Sequence, residues 1–370
     1  MSNYCIGPLS FSIEGEGELA SLIKREFSSV EVSQGVGSAS LVFDLGECRG
    51  PVAPPPIVSD WLKVYDSGFN VNFAGLQYSF SAQGSQRVVS VSEPLRSIQR
   101  SKSLRGKVNK ILDWNYLSSV ETLAKNFIYN VFDYVSQVEL MQSDASYLHA
   151  SAITKGARCL VITGKGGIGK SSMMLKAVIE DGWQYLSDDL LVVDAAGIVW
   201  RTPKHLQIYG YNLQGEPVLQ SALMKGRGAI DLAMWNARLY FAGGKRVRRR
   251  VAAEDLFGAG QIAQSSLATD VYFLERHESE QFRERGMSHA EFARRSANVL
   301  LEELHPLSKI SLALHGADSR RILPDVSEFL RRSEAIILKA VKNVQVRHIC
   351  VPHAATPKDL MWYFKSNGFL

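Results

Sequence analysis

Gly164-Lys165-Gly166-Gly167-Ile168-Gly169-Lys170-Ser171 satisfies the pattern G-x-x-x-x-G-K-[ST]. The apolar run before it, Cys159-Leu160-Val161-Ile162-Thr163, predicts a buried strand, and Ser172 to Glu180 predicts a helix, so the strand–loop–helix context is complete. Glycines let consecutive backbone N–H groups curl around phosphate oxygens, and the helix start adds partial positive charge. Lys170 then reaches the β/γ-phosphates and the Ser171 hydroxyl ligates Mg²⁺. The full eight-residue match weighs against a glycine-rich turn that merely joins a strand to a helix. It points to a bound nucleoside triphosphate.

The surrounding chain has 370 residues, 46% of them hydrophobic and 21% charged, enough for two domains with a sizeable core. No apolar run approaches the ~18 residues of a membrane span, and the first residues lack the basic and apolar regions of a secretory signal. Cys5, Cys48, Cys159 and Cys350 lie far apart without zinc-like spacing, which predicts scattered reduced thiols in a cytoplasmic protein. The net charge of +5 is modest, but Lys245-Arg246-Val247-Arg248-Arg249-Arg250 concentrates five cations. That run suits a phosphorylated or acidic partner, and equally a solvated loop. With no aromatic interleaving and no helix-turn-helix pattern beside it, nucleic acid is not expected.

Residues 1–115 read as a β-rich N-terminal domain. Strand character runs from Tyr4 to Ile13, Ser40 to Leu45, Phe69 to Ser81 and Arg87 to Val91, with a short helix from Glu18 to Phe27. Pro51 to Pro56 predicts a stiff extended loop, Ala82 to Ser85 a turn, and Arg96 to Lys110 an exposed basic connection. An amphipathic helix carrying Val120, Leu123, Ala124, Phe127, Ile128, Val131, Phe132 and Val135 on one face then opens a second domain, residues 116–370. Around the loop, Thr154-Lys155-Gly156-Ala157 predicts a hairpin. Downstream, a strand-like run from Trp183 to Asp194 is broken at Ser187-Asp188-Asp189 and followed by another hairpin at Ala195-Ala196-Gly197. A doubly wound domain would place a crossover helix there, so the sheet is expected to be mixed. Toward the C-terminus, Ser288 to Leu304 and Val326 to Leu338 read as structural helices.

Asp188-Asp189 follows Lys170 by eighteen positions in an apolar strand context. Adjacent carboxylates there are costly to bury without a cation, and beside a phosphate loop Mg²⁺ is the natural one. Alternation along a strand sends the two side chains apart, so one could face the metal and the other an acceptor hydroxyl. A solvated polar turn is the alternative. His149, at a strand end, suits either a hydrogen-bonded core position or a place in the pocket.

The order His149, phosphate loop, Leu186-Ser187-Asp188-Asp189 resembles the catalytic domain of HPr kinase/phosphorylase, which shares its fold group with phosphoenolpyruvate carboxykinase. The resemblance is specific from Leu148 to Asp194, weaker up to Glu275 and faint over the N-terminal third. The opening Tyr4 to Phe11 is also similar to HPr-kinase-related proteins encoded with peptide or natural-product tailoring genes. It implies an α/β (α+β) fold with a mixed sheet: a phosphoenolpyruvate carboxykinase-like kinase domain behind a smaller β-rich one. Gly164, Gly166, Gly167, Gly169, Lys170, Ser171 and Ser172 would hold ATP, with Ser171 and Asp189 on Mg²⁺. Asp188 would be the general base, with His149, Lys170 and Arg227 as further catalytic groups. The segment Arg227-Gly228-Ala229-Ile230-Asp231 departs from the family's Arg-Gly-x-Gly-Ile, and Lys225 stands where a glutamate is usual. Those departures bear on the reverse, phosphorylase activity more than on kinase chemistry. Lys245 to Arg250 would correspond to a basic loop gripping the acceptor.

Three functions follow. The first is an ATP-dependent kinase acting on a hydroxyl, a serine of a peptide or protein or a serine-like small molecule. The second is a regulatory ATPase of the partition class, whose loop K-G-G-x-G-K-[ST] is matched from Lys165 and whose early lysine acts across a dimer. The third is a non-catalytic nucleotide-binding module. Partners are thus a nucleotide and a hydroxyl acceptor, with no membrane; a homo-oligomer is left open.

Overall fold

The computed structural model describes residues 2–32, 39–46, 57–65, 68–83, 86–92, 108, 117–317 and 323–370. The proline-rich segment from Pro51 to Pro56, the stretch from Arg96 to Lys110 apart from Val108, residues 84–85 of the expected turn, Cys48 and the 115/116 boundary lie outside them. The chain forms two compact units, Met1–Ser143 with Leu304–Arg331, and Asp144–Glu303 with Arg332–Leu370.

The first unit is β-rich. Among the described residues nine strands form one sheet: Ser2–Ile6, Leu9–Gly15, Glu31–Val32, Leu41–Gly46, Ile57–Val58, Leu62–Tyr65, Gly68–Phe73, Leu76–Gln83 and Gln86–Ser92. Leu41–Gly46 pairs parallel with both neighbours, and the remaining pairings are antiparallel. The single strand expected from Phe69 to Ser81 is two, because Ala74 (φ 53°) and Gly75 (φ 77°) both take the left-handed conformation that closes a tight hairpin.

The helical run expected to open the second domain instead belongs to this unit. It comprises Ser119–Phe127, a π-helical turn Ile128–Phe132 and Asp133–Leu140, started by a Ser118–Glu121 capping box. Its apolar face explains the placement. Phe132 packs against Phe11, Phe27 and Phe43 at centroid distances of 5.0, 4.6 and 5.4 Å, and Phe127 packs edge-on to Phe43 at 5.3 Å. Each such buried ring contributes about 1.5–3 kcal/mol. Buried Tyr134 donates to the Tyr78 hydroxyl at 2.8 Å, satisfying a polar atom that burial would otherwise penalise.

The second unit is built on a mixed sheet, as the hairpins require. Its order is Ser265–Leu267, Ile198–Trp200, Leu190–Asp194, Ala145–Lys155, Arg158–Gly164, Asp270–His277, Gln345–Pro352 and Arg283–Gly286, with Gln184–Ser187 also on Ala145–Lys155. Arg158–Gly164, Asp270–His277 and Gln345–Pro352 run parallel, so their C-terminal ends open on one edge. Parallel strands bind ligands outside that edge. Flanking helices include Lys170–Glu180, Pro217–Met224, Ala229–Ala242, His289–Glu303 and Pro357–Ser366. Among the described residues no helix is long and apolar enough to cross a membrane.

Candidate active site

The phosphate loop leaves the parallel strand Arg158–Gly164 and enters the helix Lys170–Glu180. Gly164 has φ 134° and a side chain there would meet the Leu274 carbonyl oxygen at 2.3 Å, so only glycine lets the loop turn against the neighbouring strand. Gly167 (φ 76°) and Gly169 (φ 109°) also take conformations that L residues rarely adopt. Turns of this kind are what a loop needs to curl its backbone N–H groups around an anion.

Lys170 is buried, and its ammonium donates to the carbonyls of Gly164 (2.6 Å) and Lys165 (2.9 Å) and to His149 Nε2 (3.2 Å). Burial pulls its pKa down to about 8 despite the charges of Asp188, Glu303 and Asp189. With Nε2 accepting, the imidazole proton sits on Nδ1, which lies 3.7 Å from Asp189 Oδ1. His149 comes from the strand Ala145–Lys155, which pairs with the phosphate-loop strand through Ala150↔Thr163.

That same strand orders the two aspartates. Gln184–Ser187 and Leu190–Asp194 both pair with it; the register of Gln184–Ser187 shifts between Ala152 and Ile153, and its last pair, Ala152↔Ser187, is in register with His149↔Leu190. Asp188 and Asp189 therefore stand opposite Ser151 and Ala150. The Leu190 amide bonds back to the Asp188 carbonyl at 3.0 Å across Asp189, whose φ is 71°. This is a γ-turn, a strained conformation of order 1–3 kcal/mol that persists where its surroundings fix it. Here Ser187 Oγ (2.9 Å) and Thr202 Oγ1 (2.5 Å) donate to the Leu190 carbonyl and clamp the turn.

The turn separates the carboxylates. Asp188 Oδ1 accepts from the Ser171 hydroxyl at 3.0 Å and from Ser151, and burial raises its pKa. Asp189 faces His149 and Lys204 Nζ, 3.6 Å from its Oδ2. The sequence expectation paired Asp189 with Ser171 at the metal and turned Asp188 toward the acceptor; the contacts place Asp188 on Ser171. Simple strand alternation does not allow for the turn.

Glu303, at the end of His289–Glu303, completes the group with Oε1 3.7 Å from His149 Nε2. Donor atoms of His149, Asp189 and Glu303 lie within 4.8 Å of one another, spacing that fits a divalent cation. Glu302 beside it pairs with Lys165 at 3.2 Å, with both side chains largely exposed. Burial, followed by Asp189, raises the Glu303 pKa. Ser151, Lys204 and Glu303 were not anticipated. Ser151 is reachable only through strand register, and Glu303 only through helix packing far along the chain.

Arg227 is placed elsewhere, its Nε donating to the Leu223 carbonyl (3.1 Å) and its guanidinium 3.6 Å from Asp231. The basic run is likewise not one loop. Arg248–Val251 is a strand pairing with Leu206–Tyr209, and buried Arg249 forms a two-pronged bond to Asp231 (2.6 and 2.7 Å) over Trp235. Part of that charge holds the fold together. Ser172 accepts from Asn212 Nδ2 at 2.7 Å, which fixes the start of the helix to a neighbouring segment.

His149 makes the site acid-sensitive. Burial first, and the Lys170 charge second, lower its pKa from 6.5 to about 4. Between those values the unfolded chain binds more protons than the folded one, so the contribution to stability rises with pH and is lost as pH falls. The full depth is on the order of 3 kcal/mol. In urea unfolding at pH 7, 5.5 and 4.5, His149→Gln should therefore gain on the wild type as pH drops. Parallel stability curves would contradict this.

No family model and no curated protein matches the sequence. Among solved structures, the HPr(Ser) kinase/phosphatase from Coxiella burnetii shows a distant likeness, with TM-score 0.28 and 12% identity over 60% of this chain and 97% of that one.

Proposed function

We propose that the protein is an ATP-dependent kinase that transfers the γ-phosphate to a hydroxyl, a serine of a peptide or protein or of a serine-like small molecule, on a phosphoenolpyruvate carboxykinase-like scaffold. The observation that carries this reading is the division of the two adjacent carboxylates, Asp188 with Ser171 and Asp189 with His149. A module that only binds nucleotide has no use for the second arrangement.

The donors fit Mg²⁺: a hard carboxylate and a hydroxyl 3.0 Å apart beside the phosphate loop, the carboxylate otherwise buried against hydroxyl groups. Ser171 and Asp188 would hold it, and bound there it would neutralise charge on the phosphate oxygens. Loop amides and Lys170 orient the phosphate chain and stabilise charge developing on it. Asp189 accepts the proton of the acceptor hydroxyl, with His149 and Lys204 fixing its direction. This assigns the base to Asp189 in place of Asp188. Arg227, expected at the catalytic centre, takes no part in the proposal.

The mixed sheet speaks against the partition-type ATPase, which calls for successive parallel strand–helix units after the loop. Labelled ATP with serine-bearing peptides should give label on the peptide, dependent on Mg²⁺. Lys165→Ala should keep transfer within a few-fold of wild type, since an exposed ion pair such as Lys165–Glu302 is worth about 0–1 kcal/mol. Hydrolysis without transfer, abolished by Lys165→Ala and accompanied by ATP-dependent dimerisation, would establish the ATPase instead.

A further inference from the structure

A cavity of about 440 Å³ lies along the phosphate-loop helix and shares no lining residue with the group of His149, Asp188, Asp189 and Glu303. Its wall follows one face of Lys170–Glu180, from Ser172 in the first turn to Glu180 in the last. Opposite stand the segment Tyr211 to Leu219 and Thr356 to Lys358, just beyond the parallel strand Gln345–Pro352. A side chain at Gly169 would come within 3.4 Å of Leu360 and 4.0 Å of Pro357, so this C-terminal segment packs directly on the loop.

We propose that this cavity receives the nucleoside half of the triphosphate, with the base stacked on Tyr211. The proposal rests on the phosphate-loop reading above. Loop amides cradle the α/β-phosphates and Lys170 takes the β/γ end, beside His149. The α-phosphate therefore faces the helix start, where Ser172 lines the cavity mouth, and whatever is esterified to it continues inward.

Two features suit a nucleoside. Tyr211 is already braced, its ring stacked on Tyr209 with centroids 5.3 Å apart and planes at 20°. A rigid aromatic face binds a base with little ordering cost. Farther along, Glu216 and Glu180 converge on Lys176 at 3.0 and 3.4 Å. The carboxylates offer acceptors for sugar hydroxyls while Lys176 offsets their charge. The cationic loop at one end and acceptor oxygens at the other orient a nucleotide in one direction.

Calorimetry with MgATP and with magnesium tripolyphosphate tests this. Wild type should bind ATP about 10-fold or more tighter than tripolyphosphate, the range expected for one stacked base. Tyr211→Ala, and Ile179→Trp to fill the cavity, should each erase that advantage and leave tripolyphosphate affinity within about twofold. Near-UV circular dichroism would confirm both variants fold. Equal wild-type affinity for the two ligands, or variants that keep full ATP affinity and lose only acceptor binding, would overturn the cavity assignment while leaving the loop intact. Variants that weaken tripolyphosphate as much as ATP would also overturn it. Wild type binding neither ligand would instead sink the loop reading itself.

Discussion

Lys170→Ala is expected to lower phosphoryl transfer by about 10³-fold, the upper range for removing one preorganised charge from a transition state, and to weaken MgATP binding. The ammonium is buried at the start of the loop helix, where a low dielectric strengthens each contact with phosphate oxygens. The variant should fold, because the side chain contributes hydrogen bonds to two loop carbonyls and His149 rather than apolar packing; near-UV circular dichroism checks this. Calorimetry and single-turnover transfer check both effects. Unchanged affinity and turnover in a folded variant would remove the nucleotide site altogether.

Asp189→Asn carries the second large effect, a loss of at least ~10²-fold in transfer at near-normal MgATP affinity, the lower range for a general base. The change keeps the shape and removes the proton acceptor. Raising Mg²⁺ should not restore the rate. Asp188→Asn should behave differently in kind: it removes a charge beside Ser171 and should raise the Mg²⁺ requirement, with partial recovery at high metal. Single-turnover rates across a Mg²⁺ titration separate the two. If Asp188→Asn is the variant that metal cannot rescue, the base is Asp188. If both recover, neither carboxylate is the base.

The loop, both hairpins and the mixed sheet were legible because each is local. Gly164 to Ser171 fixes a turn through its own glycines, and Thr154 to Ala157 and Ala195 to Gly197 fix hairpins through theirs. That His149, Lys170 and the aspartates come into contact was expected from the resemblance in their order, not from the residues taken singly. Which aspartate faces which partner was not, since it depends on one left-handed residue, Asp189, that alternation along a strand cannot foresee. Glu303 was invisible because helix packing over long separation brings it to His149. The extent of the first unit was hidden for the same reason: Leu304–Arg331 returns to it, while Ser119–Leu140 joins it through the rings of Phe127 and Phe132.

The grip of Lys170 on its own loop changes what nucleotide affinity measures. The ammonium already holds two backbone oxygens, so an arriving phosphate does not meet a free cation; it competes for one. The net gain is the difference between ionic and neutral acceptors, and charge-assisted bonds are roughly twice as strong. On the proposed function, the group that maintains the loop's shape would have to let go of it when phosphate binds. Selectivity follows: a ligand with too little negative charge loses the exchange, and the loop stays latched on itself.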